Sequence, residues 1–389
     1  MLHYTNYHSH SHKFANTEIL EMYAYQVLKG IAFGLVGIFV AVYLYTAGVA
    51  IHNIVALFAL GSFIHGLICL LFVRGVLFKI GIKHTFIIAT LGFIASFLVI
   101  RQGVSPSYLI LWALLDGIAN AFYASAYHSF VALNMDEQIA GKEVALLSIF
   151  TIIINIITPV VGSFLILIFG FEHMFLIGSI LLIFSVVPLF LSAETRVTNQ
   201  IRLSGFAHIK KYRTANKKIF WSTIGNGLDA SSDPMWDALY MYKIVGGLKN
   251  LGILKSIFSF LQIFAFYFGG KRMDEKKSVF NFGINGSIMA RMLTFVSFYP
   301  FVAIMSETAN SIVRPFFATS YAATWYKEIR GSYAISHVVA HENIWHLAHA
   351  GAMGVIALGA YFFGWYSFLL AGAFMIIGKF IIKKQQVGA

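Results

Sequence analysis

Charged residues and cysteine are both scarce in this chain, and each scarcity excludes a class of protein. Only 11% of the 389 residues are charged, whereas 59% are hydrophobic, so there is too little polar surface to coat a soluble globule of this size. The single cysteine, Cys69, lies in an apolar run, which excludes a disulfide framework and a thiolate metal cage. The composition therefore indicates that lipid forms part of the solvent around the protein.

Long apolar runs recur from Tyr25 to the C-terminus. A bilayer core of roughly 30 Å needs about 20 apolar residues per helix, and runs such as 146–169 are apolar on all sides, unlike the alternating strands of a membrane barrel. The first run is too long and too far from residue 1 to be a cleaved signal peptide. The sequence predicts an all-α integral membrane protein with twelve transmembrane helices, at residues 24–46, 52–73, 84–101, 106–132, 144–169, 172–192, 221–243, 249–269, 278–299, 301–325, 333–362 and 364–382.

The positions of Lys and Arg predict the orientation of these spans. With a cytoplasmic N-terminus, the predicted outer loops contain only Arg101, Lys243 and Lys249, and the inner loops contain most of the remaining basic residues. This skew is the one that the positive-inside rule describes. We therefore expect both termini to lie on the cytoplasmic side of the inner (plasma) membrane, and the net charge of +12 to reflect topology rather than a nucleic-acid partner.

A central polar stretch divides the predicted spans into two sets of six. Within each set, the loop after the second span has a Gly followed four residues later by a charge, Gly75 with Lys79 and Gly270 with Asp274. The two loops are half a chain length apart, as expected for a tandem repeat. The predicted domains are a His-rich cytoplasmic tail (1–23), an N-terminal six-helix bundle (24–193), a cytoplasmic linker (194–220) and a C-terminal six-helix bundle (221–389).

Two short motifs carry a family resemblance. The stretch RGVLFKIGIK at 74–83 resembles a shortened G-x3-D-R-x-G-R-R loop of the major facilitator superfamily, with Lys79 where an aspartate is usual and one residue missing before Gly81. The stretch TPVVGS at 158–163 is similar to the G-P-x-x-G-G core of that family's antiporter motif, through Pro159 and Gly162.

The resemblance implies an MFS-like fold of two six-helix domains that rock about a central cavity in alternating access, with a lean towards efflux. It implies no cofactor, and a monomer whose partners are the lipid bilayer, protons and a small-molecule or ion substrate. The residues that would form the gating loops are Gly75, Lys79, Gly81, Lys83, Gly270 and Asp274.

Span seven has a stripe of polar side chains on one helical face. Carboxylates on one face repel each other unless a cation, a proton or a basic partner neutralises them. The stripe therefore predicts a cation- or proton-binding face, and the alternative is a set of buried salt bridges to Arg314 or Arg291. The residues at the required spacing are Asn226, Asp229, Asp233 and Asp237.

Spans four and ten add candidates. Glu307 and Arg314 share a face of span ten, where Arg314 would be a ligand for an anionic substrate or, as we favour, a counter-charge for the aspartates. Asp116 and Asn120 share a face of span four, and a coupling-proton site and a helix–helix hydrogen bond are equally open there. The end-placed Lys29 is expected to snorkel, as is Lys255.

Span eleven has the highest density of histidine. Glu342, His346 and His349 lie on one helical face, and this set suits a borderline divalent metal or a proton relay as well as polar packing. The segment also reads H-E-x-x-x-H, but imidazoles at i and i+5 diverge by about 140° and cannot chelate one zinc ion from a regular helix. The sequence therefore predicts no enzyme.

Small residues are expected to allow close helix packing. They are Gly30, Gly34 and Gly37 in span one, and Gly351 and Gly354 in span eleven.

The function predicted from these features is proton-coupled export of a small cationic or amphipathic solute. The site would lie between spans four, seven, ten and eleven. One alternative keeps the fold but transports a divalent metal, with Asp229, Asp233, Glu342, His346 and His349 as candidate ligands. The other alternative is a membrane scaffold or sensor that transports nothing.

Overall fold

A computed structural model describes residues 17–134, 140–191, 194, 197, 200–203, 206–271, 276–329 and 331–385. These residues are almost entirely helical, and no strand occurs among them. The helices are α1 (Thr17–Thr46), α2 (Ile51–Ile80), α3 (Ile82–Ile100), α4 (Pro106–Asn134), α5 (Ala140–Phe169), α6 (Phe171–Phe190), the linker helix (Ala207–Ala215), α7 (Lys217–Ala230, continued by Asp233–Tyr240 and Met241–Val245), α8 (Leu248–Lys271), α9 (Lys276–Met292), α10 (Pro300–Glu328), α11 (Ala334–Phe363) and α12 (Phe368–Gln385).

Eight helical segments of the described chain are long and apolar enough to cross a membrane, and one of them, Ala334–Gln385, contains both α11 and α12. Their outward faces expose large apolar side chains, among them Leu91, Ile168 and Phe362. Apolar side chains on the outside of a helical bundle are stable in lipid rather than in water. The protein is therefore an all-α membrane protein.

Two of the most extensive helix pairs join early and late parts of the chain. Helix α11 packs along α2, and α8 packs along α5. The other principal contacts stay within the early part or within the late part of the chain, such as α3 with α4, α1 with α6, α9 with α10, and α7 with α12. The α2–α11 and α5–α8 pairs thus hold the first and last parts of the chain together.

Helix α2 is longer than predicted, because the span was expected to end at residue 73. The chain passes through a π-helical turn at Cys69–Val73 and stays helical as far as Ile80. Leu77 is fully buried, so this segment packs in the core. The charges of Arg74 and Lys79 made it look like a polar loop in the sequence. The turn itself falls on Gly81, whose φ of 92° favours glycine.

Glycine-mediated contacts hold α1, α5 and α8 close together. A Cβ added at Gly162 would lie 2.5 Å from the Leu35 carbonyl oxygen, and one at Gly252 would lie 2.5 Å from the Pro159 carbonyl oxygen. The expected close packing is confirmed at Gly34, which faces Thr158 of α5. It is wrong for Gly351, around which nothing lies within 4 Å of such a Cβ.

We expect Gly162→Ala to destabilise the protein by about 1–3 kcal/mol, because the new methyl group meets backbone that cannot rotate away. Gly351→Ala is the matched control, since its methyl group enters open space and alanine is the better helix former by about 1 kcal/mol. Thermal unfolding in detergent should show a lower midpoint for the first variant and an unchanged or higher one for the second. Equal midpoints would contradict the contact.

Candidate functional site

A cavity of about 570 Å³ lies among α1, α4, α5 and α8. Two lysines line it and neither snorkels as expected. Lys29 Nζ lies 3.3 Å from the centroid of the Tyr123 ring, and Lys255 Nζ lies 3.3 Å from Asp237 Oδ1. Both lysines are engaged because aromatic faces and carboxylates stabilise ammonium groups away from water. Polar side chains complete the wall, including Gln26, Asn155, Ser259 and Gln262.

Most of the carboxylates predicted for the site have basic partners. Asp229 pairs with Lys379 of α12, and both side chains are buried. Glu307 pairs with Arg291 and accepts a hydrogen bond from Trp236 Nε1 at 3.0 Å. Together with the Asp237–Lys255 contact, these pairs neutralise three of the four carboxylates that were predicted as site residues on α7 and α10. Ion pairs therefore occur along the stripe, and the partners of Asp229 and Asp237 are lysines rather than Arg291 or Arg314.

Asp233 is the exception among these carboxylates. Pro234 lacks an N–H group, and the helix widens into a π-helical stretch at Asp233–Tyr240. The Asp233 side chain is exposed, and among the described side chains no cationic group lies within ion-pair distance of it. The exposed Arg314 of α10 interacts with it electrostatically. The next carboxylate of the stripe, Asp237, pairs with Lys255 of the cavity wall. Asn226 lies half-buried two turns earlier.

The span-eleven residues form a cluster with two histidines that the sequence did not single out. Glu342 Oε2 lies 3.5 Å from His65 Nε2 and 3.7 Å from His346 Nε2, and Glu342 Oε1 lies 3.6 Å from His128 Nε2. Helix α2 contributes His65 and α4 contributes His128. His349 lies one turn along α11 and contacts Ser62 Oγ through Nδ1 at 2.8 Å.

A second cavity of about 180 Å³ connects this cluster to α4. Asp116 and Asn120 line it together with His65, His346 and His349. Asn120 Nδ2 donates to Asp116 Oδ2 at 2.9 Å, so this hydrogen bond is made within α4. The predicted site residues thus fall into two groups, one in the ion pairs of α7 and α10 and one on α4 and α11 beside the small cavity.

The sequence matches the family model described as Major Facilitator Superfamily over residues 22–341. The chain belongs to the major facilitator superfamily. It is therefore a multi-pass membrane transporter by family and fold, and not an enzyme. No curated relative matches the chain in sequence.

Solved structures of superfamily transporters share the fold. A POT family transporter in complex with 5-aminolevulinic acid superposes with a TM-score of 0.71 at 12% identity, covering 94% of this chain and 95% of that one. A D-xylose–proton symporter gives 0.66 at 12% identity over 94% and 98%. The human organic anion transporter MFSD10 gives 0.64 at 13% identity over 94% and 99%.

The segment 74–83, which resembles the superfamily's loop motif, contacts Glu194 of the predicted linker. The Lys83 and His84 amides donate to the Glu194 carboxylate at 3.0 and 2.9 Å, which satisfies the free N–H groups at the start of α3. Lys83 Nζ also pairs with Glu21 at 2.6 Å. Lys79 is exposed. In the corresponding later loop, Gly270 lies at the end of α8 and Asp274 lies outside the described residues.

The predicted linker, 194–220, contains a helix that packs into the fold. Tyr212 of the linker helix is fully buried, and its hydroxyl group lies 3.1 Å from both Thr223 Oγ1 and His341 Nδ1. Helix α7 already begins at Lys217. The antiporter-like residues Pro159 and Gly162 lie in α5, where they form the glycine-mediated contacts with α8 and α1 described above.

Proposed function

We propose that this protein is a proton-coupled secondary active transporter that works by alternating access. Asp233 carries the proposal, because it is an exposed carboxylate in a stripe whose other carboxylates have lysine partners. A carboxylate without a permanent counter-charge can exchange a proton as its surroundings change.

The helix contacts support a chain that crosses the membrane twelve times as two six-helix halves. In that division α2 and α8 are the second helices of the two halves, and α5 and α11 are the fifth helices. The observed pairs, α2 with α11 and α5 with α8, are then equivalent under exchange of the halves. Rocking about these two contacts would open the cavity to either side of the membrane in turn. The Lys/Arg skew favours cytoplasmic termini in an inner (plasma) membrane.

For the substrate we propose a small amphipathic solute. The cavity wall offers aromatic side chains such as Phe33, Tyr123 and Tyr127 beside the amines of Lys29 and Lys255. The preference for a cationic solute came from the carboxylate stripe, and the ion pairs of Asp229 and Asp237 weaken that argument. Export remains the proposed direction because of the likeness of 158–163 to the antiporter motif.

A reconstitution experiment tests this function. Proteoliposomes containing a pH-sensitive dye would be given an inward or outward proton gradient with ethidium, a dipeptide, D-xylose or an organic anion. We expect one class of solute to move protons, in the direction opposite to its own flux. Solute flux without proton movement would contradict coupling, proton flux in the same direction would contradict export, and no flux of any solute would favour the scaffold or sensor alternative.

A further inference from the structure

The α2–α11 contact contains a group of side chains that the proposed transport mechanism does not use. We call His65, Glu342 and His346 the histidine triad. One nitrogen or oxygen atom from each residue lies within 4.8 Å of the others, and His65 and Glu342 are buried. The triad joins a helix of the first part of the chain to a helix of the last part.

The separations within the triad fit metal ligands better than hydrogen bonds. Glu342 Oε2 is 3.5 Å from His65 Nε2 and 3.7 Å from His346 Nε2, beyond the usual N–H···O range of 2.7–3.2 Å. Two ligands at about 2.05 Å from a tetrahedral zinc ion lie about 3.4 Å apart. The two Glu342–imidazole separations match this spacing. The His65 and His346 rings stack with their centroids 3.3 Å apart, so binding of an ion requires the two rings to rotate until both Nε2 lone pairs meet it.

The hydrogen bonding of His65 also favours a bound metal ion. Its side chain is 2% exposed, and neither ring nitrogen has a hydrogen-bond partner among the described residues. Burial of an imidazole without a hydrogen bond costs about 1–3 kcal/mol. A ligand that binds Nε2 would remove that cost.

Hydrogen bonds orient His346 with a free lone pair. The Ala230 carbonyl oxygen can only accept, so neutral His349 donates to it from Nε2 at 3.2 Å and must accept at Nδ1 from Ser62 Oγ at 2.8 Å. When Ser62 gives its one proton to His349 rather than to the His346 carbonyl oxygen, which lies 3.2 Å away, it accepts from His346 Nδ1 at 2.9 Å. In that arrangement the proton of neutral His346 is on Nδ1, and its free nitrogen is Nε2, 3.7 Å from Glu342 Oε2. Such outer hydrogen bonds commonly fix the tautomer of metal-ligating histidines.

The second carboxylate oxygen of Glu342 also faces a histidine. Its Oε1 faces His128 Nε2 at 3.6 Å, and His128 Nδ1 lies 2.6 Å from the Tyr326 hydroxyl group. The carboxylate thus turns one oxygen towards His128 and the other towards the two triad imidazoles. Two imidazoles and one carboxylate form a donor set suited to Zn²⁺ and similar borderline divalent ions.

We propose that His65, Glu342 and His346 bind one divalent transition-metal ion of the Zn²⁺ class, and that the ion clamps α2 to α11. The sequence-based ligand set is corrected, because His65 takes the place of His349 and His349 orients His346 through Ser62. The fourth position is open to water or to His128. The ion acts as an inhibitor and not as cargo, since it holds together two helices that alternating access must separate. This effect rests on the proposed function, whereas metal binding does not.

Cobalt is the probe for binding, because four-coordinate Co²⁺ has visible absorption bands. The protein would be the full chain without a polyhistidine tag, with His3, His8, His10 and His12 changed to Gln so that the N-terminal histidines do not bind the metal. We expect one Co²⁺ per chain, displaced by Zn²⁺. Ser62→Ala should weaken binding by roughly 10–100-fold, as for other outer-sphere partners of metal ligands.

The triad variants give the decisive comparison. His65→Ala, His346→Ala and Glu342→Gln should each abolish the cobalt spectrum, whereas the controls His52→Ala on α2 and His337→Ala on α11 should keep it. If a triad variant fails to fold, zinc-edge X-ray absorption of the zinc-loaded chain replaces it and should show two imidazole ligands. Undiminished cobalt binding in folded triad variants, no binding to the parent chain, or a zinc spectrum without imidazole would overturn the site.

A transport assay tests the zinc clamp separately from the proposed transport function. In proteoliposomes, Zn²⁺ at a saturating concentration should reduce solute-dependent proton movement at least tenfold for the parent chain and should have no effect on His65→Ala. Zinc binding that leaves this flux unchanged would overturn the clamp and leave the site and the transporter intact. A chain that binds zinc but moves no solute in the absence of metal would overturn the transport proposal instead.

Discussion

Lys379→Met is expected to lower the free energy of unfolding by about 3–5 kcal/mol, because it leaves Asp229 charged and unpaired in the interior. Both side chains are buried, with 1% of the Lys379 and 6% of the Asp229 side chain exposed. The pair lies at a tight crossing of α7 and α12, where a Cβ on Gly225 would lie 2.7 Å from the Gly378 carbonyl oxygen. Water cannot easily reach the remaining charge there, so the loss should appear as a much lower thermal midpoint in detergent.

The double variant distinguishes pairing from lost packing. Adding Asp229→Asn to Lys379→Met removes the uncompensated charge and should recover most of the lost stability, since a buried pair is often replaceable by neutral groups at little cost. Lys384→Met is the matched control on the same helix, because Lys384 is exposed and should contribute less than about 1 kcal/mol. A double variant as unstable as the sum of the two single variants would show that the two residues do not act as a pair.

The acidic stripe was predictable from sequence, but its partners were not. Asp229, Asp233 and Asp237 share a face because of helical periodicity, which is a local property of the chain. Lys379 is far away in sequence and follows an apolar run, where it resembles a basic residue at a helix end. Its pairing with Asp229 depends on α12 packing against α7, and no local pattern encodes that contact.

The histidine triad was likewise predictable from the sequence only in part. Glu342 and His346 could be grouped because they are one helical turn apart on α11. His65 stands alone in an apolar segment, and a single histidine there is usually explained by polar packing. It joins the cluster only because α2 packs against α11, and no local pattern of the sequence encodes that contact.

Helix positions were predicted well because they depend on hydropathy and length, and helix ends less well. The charges of Arg74 and Lys79 suggested a loop, but Leu77 packs in the core and keeps the segment helical. Conversely, Pro234 lacks the N–H group that a regular helix uses, and α7 has its π-helical stretch there. Proline is therefore a usable signal for irregular helix geometry, whereas nearby charges alone do not locate the end of a helix.

Asp233→Asn is expected to abolish proton-driven accumulation of solute while leaving the protein folded. Asparagine has the shape of a protonated aspartate but cannot release a proton, so the variant would be fixed in one state of the coupling cycle. Because Asp233 is exposed and has no ion-pair partner among the described side chains, its loss strands no buried charge, and the thermal midpoint should change little. Exchange of solute down its own gradient should persist, since that process needs no net proton transfer.

The comparison with Asn226→Ala identifies the coupling group. Asn226 lies on the same stripe of α7 and cannot titrate, so its replacement should leave proton movement intact if coupling depends on a carboxylate rather than on polarity alone. Proton-coupled flux retained in Asp233→Asn would remove Asp233 from the mechanism and direct attention to Asp116, the half-buried carboxylate of the second cavity. Loss of flux in both variants would instead indicate that the stripe supports the shape of α7, because only the titratable residue can exchange a proton with the cavity.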